Sequence, residues 1–129
     1  HFDQYTAHGI SILHGDFFNP NKDDFATVNT VYDRAALVAL PSPMRKRYVD
    51  HLLSILPVPT QILLITLDYP HNEMSGPPFA ISHDEVQSLY KSCADLRLLI
   101  QTDVIEKNPR FKEKGLSRLH ESVFLIQIQ

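Results

Sequence analysis

Residues 28–67 read VNTVYDRAALVALPSPMRKRYVDHLLSILPVPTQILLITL. Val28–Tyr32 carries Val, Thr and Tyr, which suit a pleated surface and predict a strand. Asp33-Arg34 follows it directly. Ala35–Leu40 has a helix-friendly composition and runs into Pro41. Ser42-Pro43 then opens a helix, since serine caps well and proline suits the first turn. Val49, Leu52, Leu53 and Leu56 recur at i, i+3, i+4 and i+7, one apolar helical stripe, and Pro57 and Pro59 end it. Ile62–Leu67 is nearly continuously apolar, the pattern of a strand buried on both faces, and Asp68-Tyr69-Pro70 stops it. Strand, helix, strand in this order predicts a parallel pair with a right-handed crossover, hence an α/β fold.

Upstream, Ile10–Leu13 reads as a strand closed by the turn-rich Phe18-Asn19-Pro20-Asn21. Downstream, residues 71–80 form a loop containing Gly76-Pro77-Pro78-Phe79. Ser82-His83-Asp84-Glu85 is a capping box opening a helix to about Ser92, with Val86, Leu89 and Tyr90 as its stripe. Leu96–Gln101 is the next strand, Glu106–Lys114 a charged stretch, and Ser122–Gln127 the last strand. The order is β, β, α, β, α, β, β. The last two strands have no strong helix between them and are expected to pair antiparallel. Residues 1–129 form one domain, with no linker and no internal repeat.

Composition excludes several function classes. Of 129 residues, 43% are apolar and 21% charged, which fits a folded domain and not a disordered chain. A formal net charge of −3 offers no electrostatic footprint for nucleic acid or an anionic membrane. The longest apolar run, Ala35–Leu40, is too short to span a bilayer, and no signal peptide is recognisable. One cysteine, Cys93, excludes an internal disulfide framework and points to a reducing compartment, the cytoplasm. It reads as a structural thiol near a helix end. The seven histidines are scattered, without the spacing of a zinc site. The four glycines form neither a dinucleotide fingerprint nor a P-loop.

Three strands end in an acidic residue: Asp16-Phe17, Asp33-Arg34 and Asp68-Tyr69. Ligands of open α/β sheets bind outside such strand ends, and an acid beside an aromatic can bracket an adenosine. Turns also favour aspartate for their own sake. Arg34, at a strand end before an apolar segment, needs an acid or an anionic ligand. Arg45-Lys46-Arg47 reads as a solvated helix face. Gly76-Pro77-Pro78-Phe79 is stiff and presents an aromatic, either as a pocket wall or as a turn docking Phe79 on the core.

Several strings together resemble a known family. Gly15-Asp16-Phe17-Phe18, Tyr32-Asp33-Arg34-Ala35-Ala36-Leu37-Val38-Ala39-Leu40-Pro41 and Met44-Arg45 look like bacterial thiopurine S-methyltransferases. So do Thr66-Leu67-Asp68-Tyr69, Glu73-Met74 with Gly76-Pro77-Pro78-Phe79, and Pro109-Arg110-Phe111 ahead of Gly115-Leu116. They occur in the family's order and spacing across essentially the whole chain.

The resemblance implies a class I S-adenosylmethionine-dependent methyltransferase. That fold is a Rossmann-like, mostly parallel seven-stranded sheet with helices on both faces and an antiparallel last strand, of which strands three to seven are expected here. It implies transfer of the donor's methyl group to the sulfur of an aromatic or heterocyclic thiol such as a thiopurine. Selenium or tellurium compounds, or another small thiol, are alternative acceptors, and a noncatalytic partial α/β domain is the alternative outside the enzyme class. Arg34 matches the family arginine that lies against the donor and faces the substrate. Asp16 and Phe17 match positions lining the adenine. Arg110 matches a second arginine near the substrate sulfur, and Phe79 sits in the pocket-wall segment. The resemblance calls for no metal, because a thiolate held in line with the donor methyl needs no strong base.

The family's N-terminal part, with its first two strands, is absent from the sequence, which also begins without methionine. The chain is therefore expected to be a partial domain lacking the N-terminal donor-binding segment. In the family's sheet order, 3-2-1-4-5-7-6, that absence leaves strand Ile10–Leu13 without a neighbour and strand Val28–Tyr32 bare on one side. The intact enzyme is expected to be a monomer, and the chain as given to self-associate through exposed strand edges and to bind the donor weakly.

Overall fold

The computed structural model describes residues 2–93 and 95–129. Two strands, β1 (Phe2–Ala7) and β2 (Ile10–Gly15), form an antiparallel hairpin. A four-stranded sheet follows in the order β3-β4-β6-β5, built from β3 (Thr30–Asp33), β4 (Thr60–Asp68), β5 (Asp95–Asp103) and β6 (His120–Ile128). The helices are α1 (Ser42–Ile55), α2 (His83–Leu89) and α3 (Pro109–Glu113), with single 3₁₀ turns at 22–25, 37–39 and 105–107.

The fold is α/β with a mixed sheet. β3 and β4 pair in parallel, joined by α1, as the strand-helix-strand reading predicts. β6 runs antiparallel between β4 and β5 and pairs with both. The expectation of a mostly parallel sheet is corrected at the level of pairing. β3, β4 and β5 point the same way, but the inserted last strand makes two of the three ladders of this sheet antiparallel. Helices on both faces are likewise not what α1 and α2 provide, because the two share one face.

That face holds the core. Tyr48, Val49 and Leu52 of α1 and Val86 of α2 close over Ile62 and Leu64 of β4 and Phe124 and Ile126 of β6. Ile62 lies opposite Ile126 and Leu64 opposite Phe124, so one inward row continues across the ladder. Each of these fully buried side chains contributes roughly 1.5–3 kcal/mol relative to exposure. The opposite face carries half-buried Leu63, Ile65, Val123 and Leu125. Beside them on β5, Ile100 is 56% exposed.

The expectation that strand Ile10–Leu13 has no neighbour is overturned by β1. His8 and Gly9 both have positive φ, 52° and 80°, and Ala7 lies opposite Ile10. This is the two-residue hairpin geometry whose twist matches that of its strands. β3, by contrast, is an edge strand with β4 as its one neighbour. Helix α1 begins with Ser42 inside it and Pro41 as the cap, one residue earlier than the sequence suggests. Within the helix-friendly segment 35–40, Leu37–Ala39 forms a single 3₁₀ turn.

Candidate functional site at the carboxyl edge of the sheet

Asp33 ends β3 pointing inward and is 3% exposed. One carboxylate oxygen accepts the Tyr48 hydroxyl at 2.7 Å and the other the Leu37 backbone N–H at 3.3 Å. Burial pushes the Asp33 carboxyl above its ordinary range, and burial next to Asp33 pushes the Tyr48 phenol far up as well. With Asp33 held inward and Leu37 and Val38 buried, the turn between them projects Arg34 outward, and Ala35 adopts the left-handed region at φ 67°. Arg34 has no side-chain hydrogen bond or ion pair among the described residues.

The loop before α2 is tied to this turn. Phe79 N–H donates to the Val38 carbonyl at 2.7 Å, Ile81 N–H to the Leu67 carbonyl at 2.8 Å, and the Tyr69 hydroxyl to the Pro78 carbonyl at 2.8 Å. At Gly76, φ is +81° and a Cβ would stand 2.7 Å from the Phe79 ring, so glycine lets that ring fold back on its own loop. The Arg45 guanidinium lies 5.5 Å from the centre of the same ring.

Arg45 corrects the reading of residues 45–47 as a solvated face. It is 5% exposed, donates from Nε to the Leu40 carbonyl at 3.0 Å, and pairs with Glu85 at 2.7 Å. The Ser82 cap places Glu85 there: Ser82 Oγ accepts the Glu85 N–H at 3.1 Å and starts α2, while the Glu85 carboxylate turns to Arg45, so one half of the expected capping box forms. Lys46 follows the expectation, pairing with Asp50 at the surface. Cys93 is free and half-buried, and burial raises its thiol.

On the far side, α3 and the turn before β6 close the edge. Asp103 accepts the N–H groups of Leu119 and Ile105 at 3.0 and 3.1 Å. Glu73 accepts the N–H and hydroxyl of Ser117 at 2.8–3.0 Å, tying the proline loop to that turn. Those donors hold both carboxyls below their usual range. A depressed folded-state pKa adds stability above the unfolded value and loses it as pH falls through the folded one. Melting temperature is therefore expected to drop on acidification below about pH 4. Glu73→Ala and Asp103→Ala should each flatten that drop; unchanged profiles in both variants would contradict the assignment. Asp33, with its raised carboxyl, acts in the opposite sense and loses stability as pH rises through its folded value.

Between these elements and the open face of the sheet lies a cavity of about 420 Å³. Arg34 and Val38 line it from the β3 turn, Ile65 and Leu67 from β4, Pro77 and Pro78 from the loop, Phe111 from α3 and Glu121 from β6. Arg110 lines a neighbouring cavity of about 460 Å³ that shares Pro77, Pro78, Asn108 and Phe111 as a common wall. The two arginines predicted from sequence thus stand on either side of one partition. Phe79 lines neither, because its ring packs on Gly76 and Arg45; its prolines make the wall instead.

Asp16 and Phe17 stand apart, on a cavity of about 700 Å³ between the hairpin and the 3₁₀ turn at 22–25. Asp16 accepts the Phe18 N–H at 2.9 Å, fixing the turn after β2. The Phe17 ring lies 4.9 Å from that of Tyr48 and 5.3 Å from that of His51. Tyr48 therefore links the two regions, touching Phe17 on one side and Asp33 on the other. Sequence reasoning passed over Glu121, although a strand antiparallel to β4 must start at the edge where β4 ends. Among the described residues, no group of three or more His, Cys, Asp or Glu is placed to hold a metal ion, and no helix is long and apolar enough to cross a membrane. His1 lies outside the described residues.

A mixed α/β sheet with an inserted antiparallel last strand and flanking helices, and a cavity at its carboxyl edge, is consistent with a class I methyltransferase-like arrangement. The family model for thiopurine S-methyltransferase matches residues 1–129, and the chain belongs to that family. It is 58% identical over 125 residues to a thiopurine S-methyltransferase of Nitrosospira multiformis, covering 97% of this chain and 57% of that protein. It is 46% identical over 126 residues to one of Pseudomonas paraeruginosa, covering 98% and 58%. It is 42% identical over 123 residues to one of Bordetella pertussis, covering 95% and 56%. The chain thus spans somewhat under three fifths of the length of these curated relatives.

Proposed function

We propose that the full-length protein transfers a methyl group from S-adenosylmethionine to the sulfur of an aromatic or heterocyclic thiol. Family membership supports the reaction class. The observation that carries the site is Arg34, a guanidinium with no side-chain hydrogen bond or ion pair among the described residues, lining a largely apolar cavity outside the carboxyl ends of β3 and β4. Such a cavity suits a flat aromatic body, and a fixed cation there favours the ionised sulfur over the thiol.

The donor fits the residues in part. Asp16 and Phe17, with Gln4, Ser11, Asp24 and Thr27 around the same cavity, offer an aromatic wall and hydrogen-bonding groups for an adenosine. When bound, the donor supplies an electrophilic methyl group. Within this chain, Arg34 holds the acceptor's negative charge, Pro77 and Pro78 hold the ring, and the apolar wall keeps water from the sulfur. Arginine does not act as a base in a protein, so the acceptor enters as its anion or loses its proton to solvent. Orientation of the two reactants supplies the larger part of the rate.

Arg110, on the neighbouring cavity behind the shared Pro77, Pro78 and Phe111 wall, is assigned to the acceptor side and not to the donor, on the strength of the family resemblance. Arg110→Ala is expected to weaken acceptor turnover severalfold with donor affinity nearly unchanged. Calorimetry showing lost donor binding would contradict that division. The reading as a whole is tested by incubating the full-length protein with methyl-labelled donor and benzenethiol and identifying the product by mass spectrometry. Labelled thioether is the expected product; no label on sulfur would refute the reading.

A further inference from the structure

Glu121 is the second residue of β6, opposite Leu67 on β4 and Thr102 on β5. Because β6 runs against β4, this position lies at the same sheet edge as Arg34. Its neighbour Ser122 is buried on the helix-covered face, so the pleat turns Glu121 to the open face, where it lines the Arg34 cavity. It is half-buried and has no side-chain hydrogen bond or ion pair among the described residues. Ile65, Leu67, Phe111 and Leu119 line the same cavity. A half-buried carboxylate that no side chain or backbone group of the described residues engages keeps its acceptor capacity for a ligand. Lys112 of α3 is engaged by Glu106 at 2.8 Å.

The cavity therefore presents one guanidinium, Arg34, and one carboxylate, Glu121, to a single ligand. A plain aromatic thiolate answers the cation alone. A purine-type thiol answers both, because an imidazole N–H remains after its thioamide has ionised. We propose that Glu121 is a specificity-determining residue of the acceptor cavity. Its carboxylate accepts a hydrogen bond from a ring N–H of a heterocyclic thiol and disfavours acceptors that carry a carboxylate. This rests on the acceptor reading of the Arg34 cavity given above.

The test is a spectrophotometric binding titration of the full-length protein with purine-6-thiol, its 9-methyl derivative (which lacks that N–H) and benzenethiol. Glu121→Leu should weaken purine-6-thiol about tenfold, the loss of one charge-assisted hydrogen bond. It should move the other two less than twofold and improve binding of 2-sulfanylbenzoate. Glu121→Gln, nearly isosteric, should give a smaller loss in the same order. Equal weakening of all three thiols, or no change, would overturn the role of Glu121 while leaving the acceptor reading standing. Failure of the unsubstituted protein to bind any of the three would overturn both.

Discussion

Arg34→Ala is expected to lower kcat/KM for an aromatic thiol by on the order of a hundredfold to a thousandfold, the usual loss for a positioned group facing developing or localised charge. The expectation follows from how the residue is held. Asp33 is locked inward by Tyr48 and Leu37, and the 3₁₀ turn buries Leu37 and Val38, so the residue between projects at the cavity mouth. Among the described residues no carboxylate forms an ion pair with it, Glu121 of the same cavity included, which leaves its charge for a ligand. Arg34→Lys should also impair turnover, because lysine lacks the planar fork. Rates within about twofold of wild type for Arg34→Ala would remove Arg34 from the mechanism. A matching fall in melting temperature would mark a structural effect instead.

Glu85→Ala is expected to cost about 3 kcal/mol of stability, among the larger effects a single substitution can have here. It strands the Arg45 guanidinium at 5% exposure with the Leu40 carbonyl as its remaining hydrogen-bond partner. The Glu85 side chain is 29% exposed, so water recovers part of the loss. Because Arg45 also lies over the Phe79 ring, the proline loop should loosen as well. Urea unfolding measures the cost. A double replacement, Arg45→Met with Glu85→Leu, should be less destabilising than Glu85→Ala alone, since it removes both charges together. A shift under 1 kcal/mol for Glu85→Ala would mean that Arg45 finds other solvation.

These two residues show where the sequence was readable and where it was not. Period and punctuation sufficed for α1, β4 and β6, because each buries a stripe or row between strong stop signals; α2 starts where its cap predicts but ends at Leu89, short of the expected Ser92, with Val86 as its buried residue. The capping box at Ser82–Glu85 was legible as a helix start. Its second consequence, a carboxylate delivered to a buried Arg45, was not, because the pairing joins positions 40 residues apart in sequence. The hairpin was missed for a different reason. Tyr5, Ile10 and Ile12 lie about 60% exposed, so no buried face imposes a pattern on β1, and the two-residue turn at His8-Gly9 was the available signal.

The candidate site was legible in a similar degree. Strand-end reasoning found Arg34, and the family resemblance added Arg110, Asp16, Phe17 and Phe79. The structure sets the two arginines on one partition and Asp16 with Phe17 on a separate cavity. It turns Phe79 from wall to support. Glu121 escaped notice because its meaning depends on the register of β6 against β4, which sets it opposite Leu67 and which periodicity does not encode.

The central claim is that the acceptor's sulfur is held as an anion beside Arg34. Ultraviolet titration of purine-6-thiol bound to the full-length protein tests it directly, since thione and thiolate absorb differently. The account predicts that the bound thiol ionises at lower pH than the free compound, by about one pH unit or more, and that Arg34→Ala abolishes most of this shift. An ionisation unchanged on binding, or a shift that persists in Arg34→Ala, would contradict it.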